Sequence, residues 1–451
     1  MTDHLVFFLC RGQESAGIVM SEGGGNSFRI HKGNGLVSNV FTSDILSQLP
    51  GNLGIGHTRY STVGGIDSTN TQPFVVHTAD GPLAVAHNGE IVNVEPLRKM
   101  VYAKGVGLSS LSDSELITQI LCLVPPNGSG TALCMDWPSR ITHLMHLTPL
   151  SYSLLILHGN SIYGVRDLFG NRPLCLGRIH HPFDIHGGEG NKGVSHPQTN
   201  TERTLGWVIS SESCAFQCMG AEFMREVEPG ELVEISSSGI RSLCVVQLPH
   251  PKSTALCIFE YVYFSRPDTF LEGQQVWKVR ERCGKELAIE APVEADIVST
   301  VPESATPAAL GFAQHLGIPY TEVFSKNRYV GRTFIQPTTQ SRRLGVTKKF
   351  GALRENLEGR RVVIVDDSIV RGTTIGPIIK MLKQAGAREV CPYLLLPLID
   401  LLDVELVLNV LKTGAASLVY LSIEGLEKAV KEGINDTQGR ERQGHCTACL
   451  T

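Results

Sequence analysis

Asp366 and Asp367 stand side by side in RVVIVDDSIVRGTT, residues 361–374, after an apolar run and before a stretch rich in small polar residues. The apolar run reads as a buried strand and the segment beyond Thr374 as a helix. The carboxylates therefore emerge where a strand ends, and the turn after them opens onto a helix N-terminus. Backbone amides in such a turn bind an anion such as a 5′-phosphate, while neighbouring carboxylates accept hydrogen bonds from vicinal ribose hydroxyls. A lone Asp-Asp-Ser would be read as a helix cap. A P-loop nucleotidase is the rival phosphate binder, but no GxxxxGK[ST] occurs at this site. Ser304, in STVPESATPAAL, lies just past a second predicted strand. Lys326, Arg328, Arg332, Lys348 and Lys349 fall in a Gly- and Pro-broken cationic segment that could fold over a polyanion or stay a solvated loop.

The N-terminal half carries a second set of candidate groups. Arg59 in GHTRYST offers a guanidinium suited to a carboxylate. Asn88 and Gly89 in AVAHNGEIVN offer two donors suited to a developing oxyanion, although Asn-Gly in isolation is an ordinary type I′ hairpin turn. Asp113 opens a capped helix in SSDSELITQILCLV, with Glu115 in its first turn. Cys10 adjoins RGQESAGIV without a base beside it in sequence, and reads as a bystander thiol.

The elements that must position these groups fall into two patterns. From residue 53 to about 245, short β-like runs (LGIGHTRY, LAVAHNGEIV, YSLLILHG, SIYGVR, GWVISSE) are separated by Gly, Asn and Pro turns, and residues 179–205 read as a surface insertion. After about 258, apolar strands alternate with helical segments, the pattern of a mostly parallel, doubly wound sheet whose ligands bind beyond the carboxyl ends of its strands. A length of 451 residues favours two domains, and a net charge of −4 with no basic block argues against a nucleic-acid partner. Twelve dispersed cysteines fit reduced thiols better than a disulfide scaffold. LVFFL is too short for a membrane span and lacks the flanks of a secretory signal, so a cytoplasmic protein with no membrane partner is expected.

The stretch 361–374 resembles the phosphoribosyl pyrophosphate (PRPP) motif of type I phosphoribosyltransferases. With RGQESAGIV, LGIGHTRYST, AVAHNGEIVN, SDSELITQ, VRDLFGNRPLCLGR, CIFEYVYFSRPD, KNRYVGRTFIQP and GHCTACLT, the chain resembles amidophosphoribosyltransferases of the animal type over nearly its whole length. The resemblance implies an α/β two-domain fold. An N-terminal-nucleophile αββα sandwich, incomplete at its N-terminus, occupies 1–245, and a type I phosphoribosyltransferase domain with a mostly parallel sheet occupies 258–430, followed by a CxxC tail at 431–451. It also implies the reaction: glutamine is hydrolysed in the first domain, and ammonia passes through a channel to displace pyrophosphate from PRPP in the second. The product is 5-phosphoribosylamine, the committing intermediate of purine biosynthesis.

Carried over by position, Arg59 would bind the glutamine carboxylate and Asp113 its amino group, with Asn88 and the Gly89 N–H as oxyanion hole. Asp366, Asp367, Ser368, Ile369, Val370, Arg371, Gly372, Thr373 and Thr374, with Lys326 and Arg332, would bind PRPP, and Ser304, Asp366 and Asp367 would hold Mg²⁺. Purine nucleotides are the implied feedback inhibitors and a homo-oligomer, tetramer or dimer, the implied assembly. Cys257, Cys446 and Cys449 match three of the four ligands of a [4Fe-4S] cluster. The fourth is not found, and Cys391 falls several positions too early. The family's nucleophile is an N-terminal cysteine, whereas Cys10 matches a histidine downstream of it, and a segment following Cys391 is shorter than in relatives. These departures lead to the expectation of a shortened chain or isoform restricted to ammonia. Alternatives are a non-catalytic PRPP or nucleotide-binding subunit, or another glutamine amidotransferase, which the 361–374 motif disfavours.

Overall fold

Strand Gly81–Gly89 shows why the N-terminal half forms layers. Leu83 and Val85 pack against helices, while the intervening Ala84 and Ala86 pack against a second sheet. Strand Tyr152–His158 divides in the same way, Leu154 and Ile156 to the helices, Leu155 and Leu157 to the other sheet. Apolar residues on both faces of one strand explain the continuous apolar runs in the sequence.

The computed structural model describes residues 14–22, 27–59, 68–125, 136–180, 204–247, 254–327, 348–368, 375–395, 412–434 and 444–450. The chain divides into two units, Met1–Leu256 with Glu441–Gly444, and Cys257–Arg440 with His445–Thr451. The first holds a six-stranded antiparallel sheet in the order Gly239–Val245, Glu231–Ser236, Ser161–Arg166, Tyr152–His158, Gly81–Gly89, Phe74–Thr78. Helices Val94–Ala103, Asp113–Cys122 and Trp137–Leu147 cover one face through Leu97, Leu116, Ile120, Ile141 and Leu144. Two three-stranded antiparallel sheets meet the other face: Phe28–Asn34, Ser15–Ser21, Leu53–Arg59, and Ala221–Glu226, Cys175–His180, Thr204–Ser210. Outside the first of these lies the short helix Val37–Val40, with His31 Nε2 3.1 Å from Val40 O, and helix Ser43–Ser47 follows it in the chain. This is the αββα order expected. The expected insertion at 179–205 is narrower, because strand pairing runs to His180 and resumes at Thr204. Residues 181–203 lie outside the described residues.

The second unit is built on a parallel sheet in the order Ile297–Thr300, Arg361–Asp366, Glu389–Leu394, Val419–Tyr420. Helix Ile375–Gln384 buries Ile375, Ile378, Ile379 and Leu382 in the core shared with Val362 and Ile364. Helices Val276–Glu290 and Thr306–Leu316 cross at backbone contact, since a Cβ at Gly284 would sit 1.8 Å from Ala308 O and one at Gly311 2.0 Å from Glu281 O. Among the described residues no helix is long and apolar enough to cross a membrane.

Candidate active site

The carboxylate pair lies at the carboxyl end of the parallel sheet. Asp366 is the last residue of strand Arg361–Asp366, whose neighbours on either side are Ile297–Thr300 and Glu389–Leu394. Thr300 Oγ1 donates to Val365 O at 3.0 Å and Leu395 N to Asp366 O at 3.2 Å, so both neighbouring strands fix the strand end. Asp367 is buried, and its Oδ1 accepts from Ser368 Oγ at 3.2 Å. Burial raises both carboxyl pKa values. Asp366 is driven well above the ordinary carboxylate range by burial and then by repulsion from Asp367, whereas the Ser304 hydroxyl and the Arg280 guanidinium partly offset the rise at Asp367.

Ser304, Asp366 and Asp367 are thus brought to one place from two strand ends. Two adjacent carboxylates and a hydroxyl, with the acids penalised for sharing negative charge, suit a hard divalent cation that keeps water and substrate phosphates as its remaining ligands. The set fits Mg²⁺. Lys326, at the end of strand Phe324–Lys326, pairs with Glu303 at 3.0 Å, and Lys349 lends positive charge toward Asp366. Ile369, Val370, Arg371, Gly372, Thr373, Thr374, Arg328 and Arg332 lie outside the described residues. Helix Ile375–Gln384 follows the 369–374 segment as the sequence reading requires.

In the first unit, Arg59 ends strand Leu53–Arg59, and Asn88 and Gly89 end strand Gly81–Gly89, opposite Ser153 and Tyr152. They are therefore not the type I′ turn considered from sequence. The strand continues through them because Gly89, at φ 136°, lets the chain pass Ser151 O, which a Cβ would approach to 2.1 Å. Asn88 Oδ1 accepts from Arg172 Nη2 at 3.4 Å and its Nδ2 donates to Ser211 Oγ at 3.1 Å. Because a guanidinium only donates, this pairing fixes the orientation of the amide. Arg172 in turn sits on a loop whose amides at Phe169, Asn171 and Arg172 all donate to buried Asp167.

Asp113 is the first residue of its helix, capped by Ser112. Its Oδ2 accepts from Ile91 N at 3.2 Å and its Oδ1 lies 3.7 Å from His87 Nδ1. Glu115 does not close a capping box. It is buried and accepts from the amides and hydroxyls of Ser109 and Ser110, tying down the preceding loop.

Sequence reasoning missed Gln72. Its side chain pairs with the His87 backbone as a strand would, Oε1 accepting from His87 N at 2.7 Å and Nε2 donating to His87 O at 3.2 Å. Nε2 also donates to Ser114 Oγ at 3.0 Å, so one amide links the residue before Asn88 to the residue after Asp113. His57 is also close by. Burial, with repulsion from His87 and Arg59, lowers its pKa to about 4. The sign follows from neutral imidazole being favoured by the fold: stability is complete above the ordinary histidine value of about 6.5 and is lost as pH falls from there toward about 4. Replacing His57 with Gln is expected to flatten part of this acid limb in denaturant titrations run from neutral pH downward. An unchanged limb would refute it.

The cysteines behave differently. Ile258 N donates to Cys446 O at 3.2 Å, which sets Cys257 beside the His445–Cys446 strand, and burial followed by the nearby Cys446 raises the Cys449 thiol. Yet among the described residues no group of three or more His, Cys, Asp or Glu side chains is gathered in a way that could hold a metal. Cys391, weighed as a fourth ligand, is buried in mid-sheet opposite Val363. The described donors therefore do not fit a four-thiolate cluster, and the iron-sulfur expectation is not supported. Cys10 lies outside the described residues.

Two domain families match the chain: a glutamine amidotransferase domain over residues 57–183 and a phosphoribosyl transferase domain over residues 270–396. Fold and sites together thus define an enzyme that couples an amidotransferase sandwich to a phosphoribosyltransferase sheet in one polypeptide. The chain is 54% identical to amidophosphoribosyltransferase of Drosophila melanogaster, over 99% of this chain and 83% of that one, and 51% identical to that of Homo sapiens, over 98% and 90%. It belongs to the amidophosphoribosyltransferase family. A solved glutamine PRPP amidotransferase from B. subtilis, complexed with ADP and GMP, superposes with a TM-score of 0.79 at 35% identity, covering 98% of this chain and 90% of that one.

Proposed function

We propose that this protein transfers ammonia nitrogen to C1 of PRPP with release of pyrophosphate, forming 5-phosphoribosylamine for purine biosynthesis. The observation that carries this reading is the acidic pair Asp366–Asp367 at the carboxyl end of the central parallel strand, with Ser304 against Asp367. In this reading residues 1–245 form the amidotransferase domain, 258–430 the transferase domain and 431–451 the tail.

Asp366 and Asp367 accept hydrogen bonds from the ribose 2- and 3-hydroxyls, and residues 368–374 bind the 5-phosphate at the start of helix Ile375–Gln384. Ser304, Asp366 and Asp367 would hold Mg²⁺, which would supply charge neutralisation for the departing pyrophosphate. Lys326 exchanges Glu303 for the polyanionic substrate, and Arg332 joins it. Holding the sugar by its hydroxyls and phosphate leaves C1 open on one face, where ammonia forms the C1–N bond as the C1–O bond to pyrophosphate breaks and a proton is then lost from the nitrogen. In the amidotransferase domain, Arg59 takes the carboxylate of glutamine and Asp113 its ammonium group, while Asn88 Nδ2 and Gly89 N–H receive the oxyanion. The ADP and GMP named with the B. subtilis relative support purine nucleotides as regulators here too. A homo-oligomer and a cytoplasmic location complete the reading.

Pyrophosphate release from PRPP and Mg²⁺, assayed with ammonium and with glutamine in parallel, tests it. Release with ammonium is the expected result whether or not glutamine also serves. Release with neither donor would defeat the transferase reading and favour a nucleotide-binding subunit.

A further inference from the structure

Arg280 extends from helix Val276–Glu290 and is only 2% exposed. Its Nε donates to Tyr261 O at 2.7 Å and its Nη2 to Ser265 O at 2.7 Å, while Nη1 reaches toward Ser304 O at 3.5 Å. One planar group thus spans the 261–265 segment and the turn that carries Ser304. A buried guanidinium is costly to desolvate, and packing alone would be served as well by an apolar side chain of similar volume. The helix that bears it cannot drift, because Gly284 and Gly311 bring it into backbone contact with helix Thr306–Leu316, which begins two residues after Ser304.

We propose that Arg280 is a positioning residue for the cation and pyrophosphate side of the transfer site, tying the turn that carries Ser304 to the 261–265 segment so that Ser304 keeps the place that Mg²⁺ binding would require. The hydrogen bonds described above all run to backbone carbonyls, and the proposal rests on the transferase reading above. Lysine at 280 would retain the charge but lose the planar fork that reaches three carbonyls at once, and glutamine would lose the charge as well.

The test is ammonium-dependent pyrophosphate release by the full chain and by its R280K and R280Q variants, measured against Mg²⁺ at saturating PRPP and against PRPP at saturating Mg²⁺. The Mg²⁺ concentration for half-maximal rate is expected to rise roughly tenfold in R280K and further in R280Q, equivalent to about 1.4 kcal/mol for the first step. Variants that melt earlier but keep the wild-type Mg²⁺ dependence and PRPP KM would overturn the proposal, since a purely structural role moves only stability. If neither variant folds, hydrogen exchange on the wild-type chain decides it. Mg²⁺ with PRPP should slow the amides of residues 261–265, and no change there would overturn it. A wild-type chain that neither turns over nor binds Mg²⁺ with PRPP would overturn the transferase reading together with this one, whereas active wild type with indifferent variants overturns this one alone.

Discussion

Asp367→Asn is expected to lower ammonium-dependent pyrophosphate release by about a hundredfold or more, the scale of losing a preorganised electrostatic group at a transition state. The substitution keeps shape and one acceptor but removes the charge that Ser304 and Arg280 partly sustain. Asp366→Asn should also impair turnover, with a different signature in stability. Burial and repulsion from Asp367 raise the Asp366 pKa well above normal, so ionising it opposes folding as pH climbs past the ordinary carboxylate range. The ligand-free D366N protein should therefore melt above wild type at neutral pH while being the poorer enzyme. Steady-state kinetics beside thermal melts would show it. An active D367N protein would remove the acidic pair from the mechanism.

The second large effect is structural. Gly284→Val should destabilise the C-terminal unit by about 3 kcal/mol, the upper range for overpacking a tight interior contact. The obstruction is a carbonyl rather than a movable side chain, because a Cβ at this position would lie 1.8 Å from Ala308 O. The helices must separate, and Ser304, just ahead of helix Thr306–Leu316, would be displaced with them. Urea denaturation gives the energy, and a midpoint equal to wild type would contradict the close crossing.

Much of this was readable from residue order alone. Strands Tyr152–His158 and Arg361–Asp366 announce themselves because both faces are buried, leaving nearly unbroken apolar runs. The Asp366–Asp367 site is legible because its groups are neighbours in sequence at a strand end. Asn88 and Gly89 were ambiguous since the close pass of Ser151 O that requires glycine comes from a strand far along the chain. Gln72 could not be found this way: a side chain that imitates a strand for a residue fifteen positions later leaves no periodic trace. Arg280 left a faint one, a charge on the helix face that buries Val276, Cys283 and Leu287. The cysteines are legible only as three candidate ligands, because spacing records the identity of ligands and not whether a fourth meets them in space.

The hairpin Cys175–His180 with Thr204–Ser210 has a practical consequence. Ile179 pairs with Gly206 and His180 with Thr204, so the ladder is closed on the near side of residues 181–203. Whatever joins His180 to Thr204 need only span paired neighbours, and the intervening sequence is therefore the natural place to splice an affinity handle or fluorophore. A reporter carried there would leave the pairing of Cys175–His180 with Thr204–Ser210 in register.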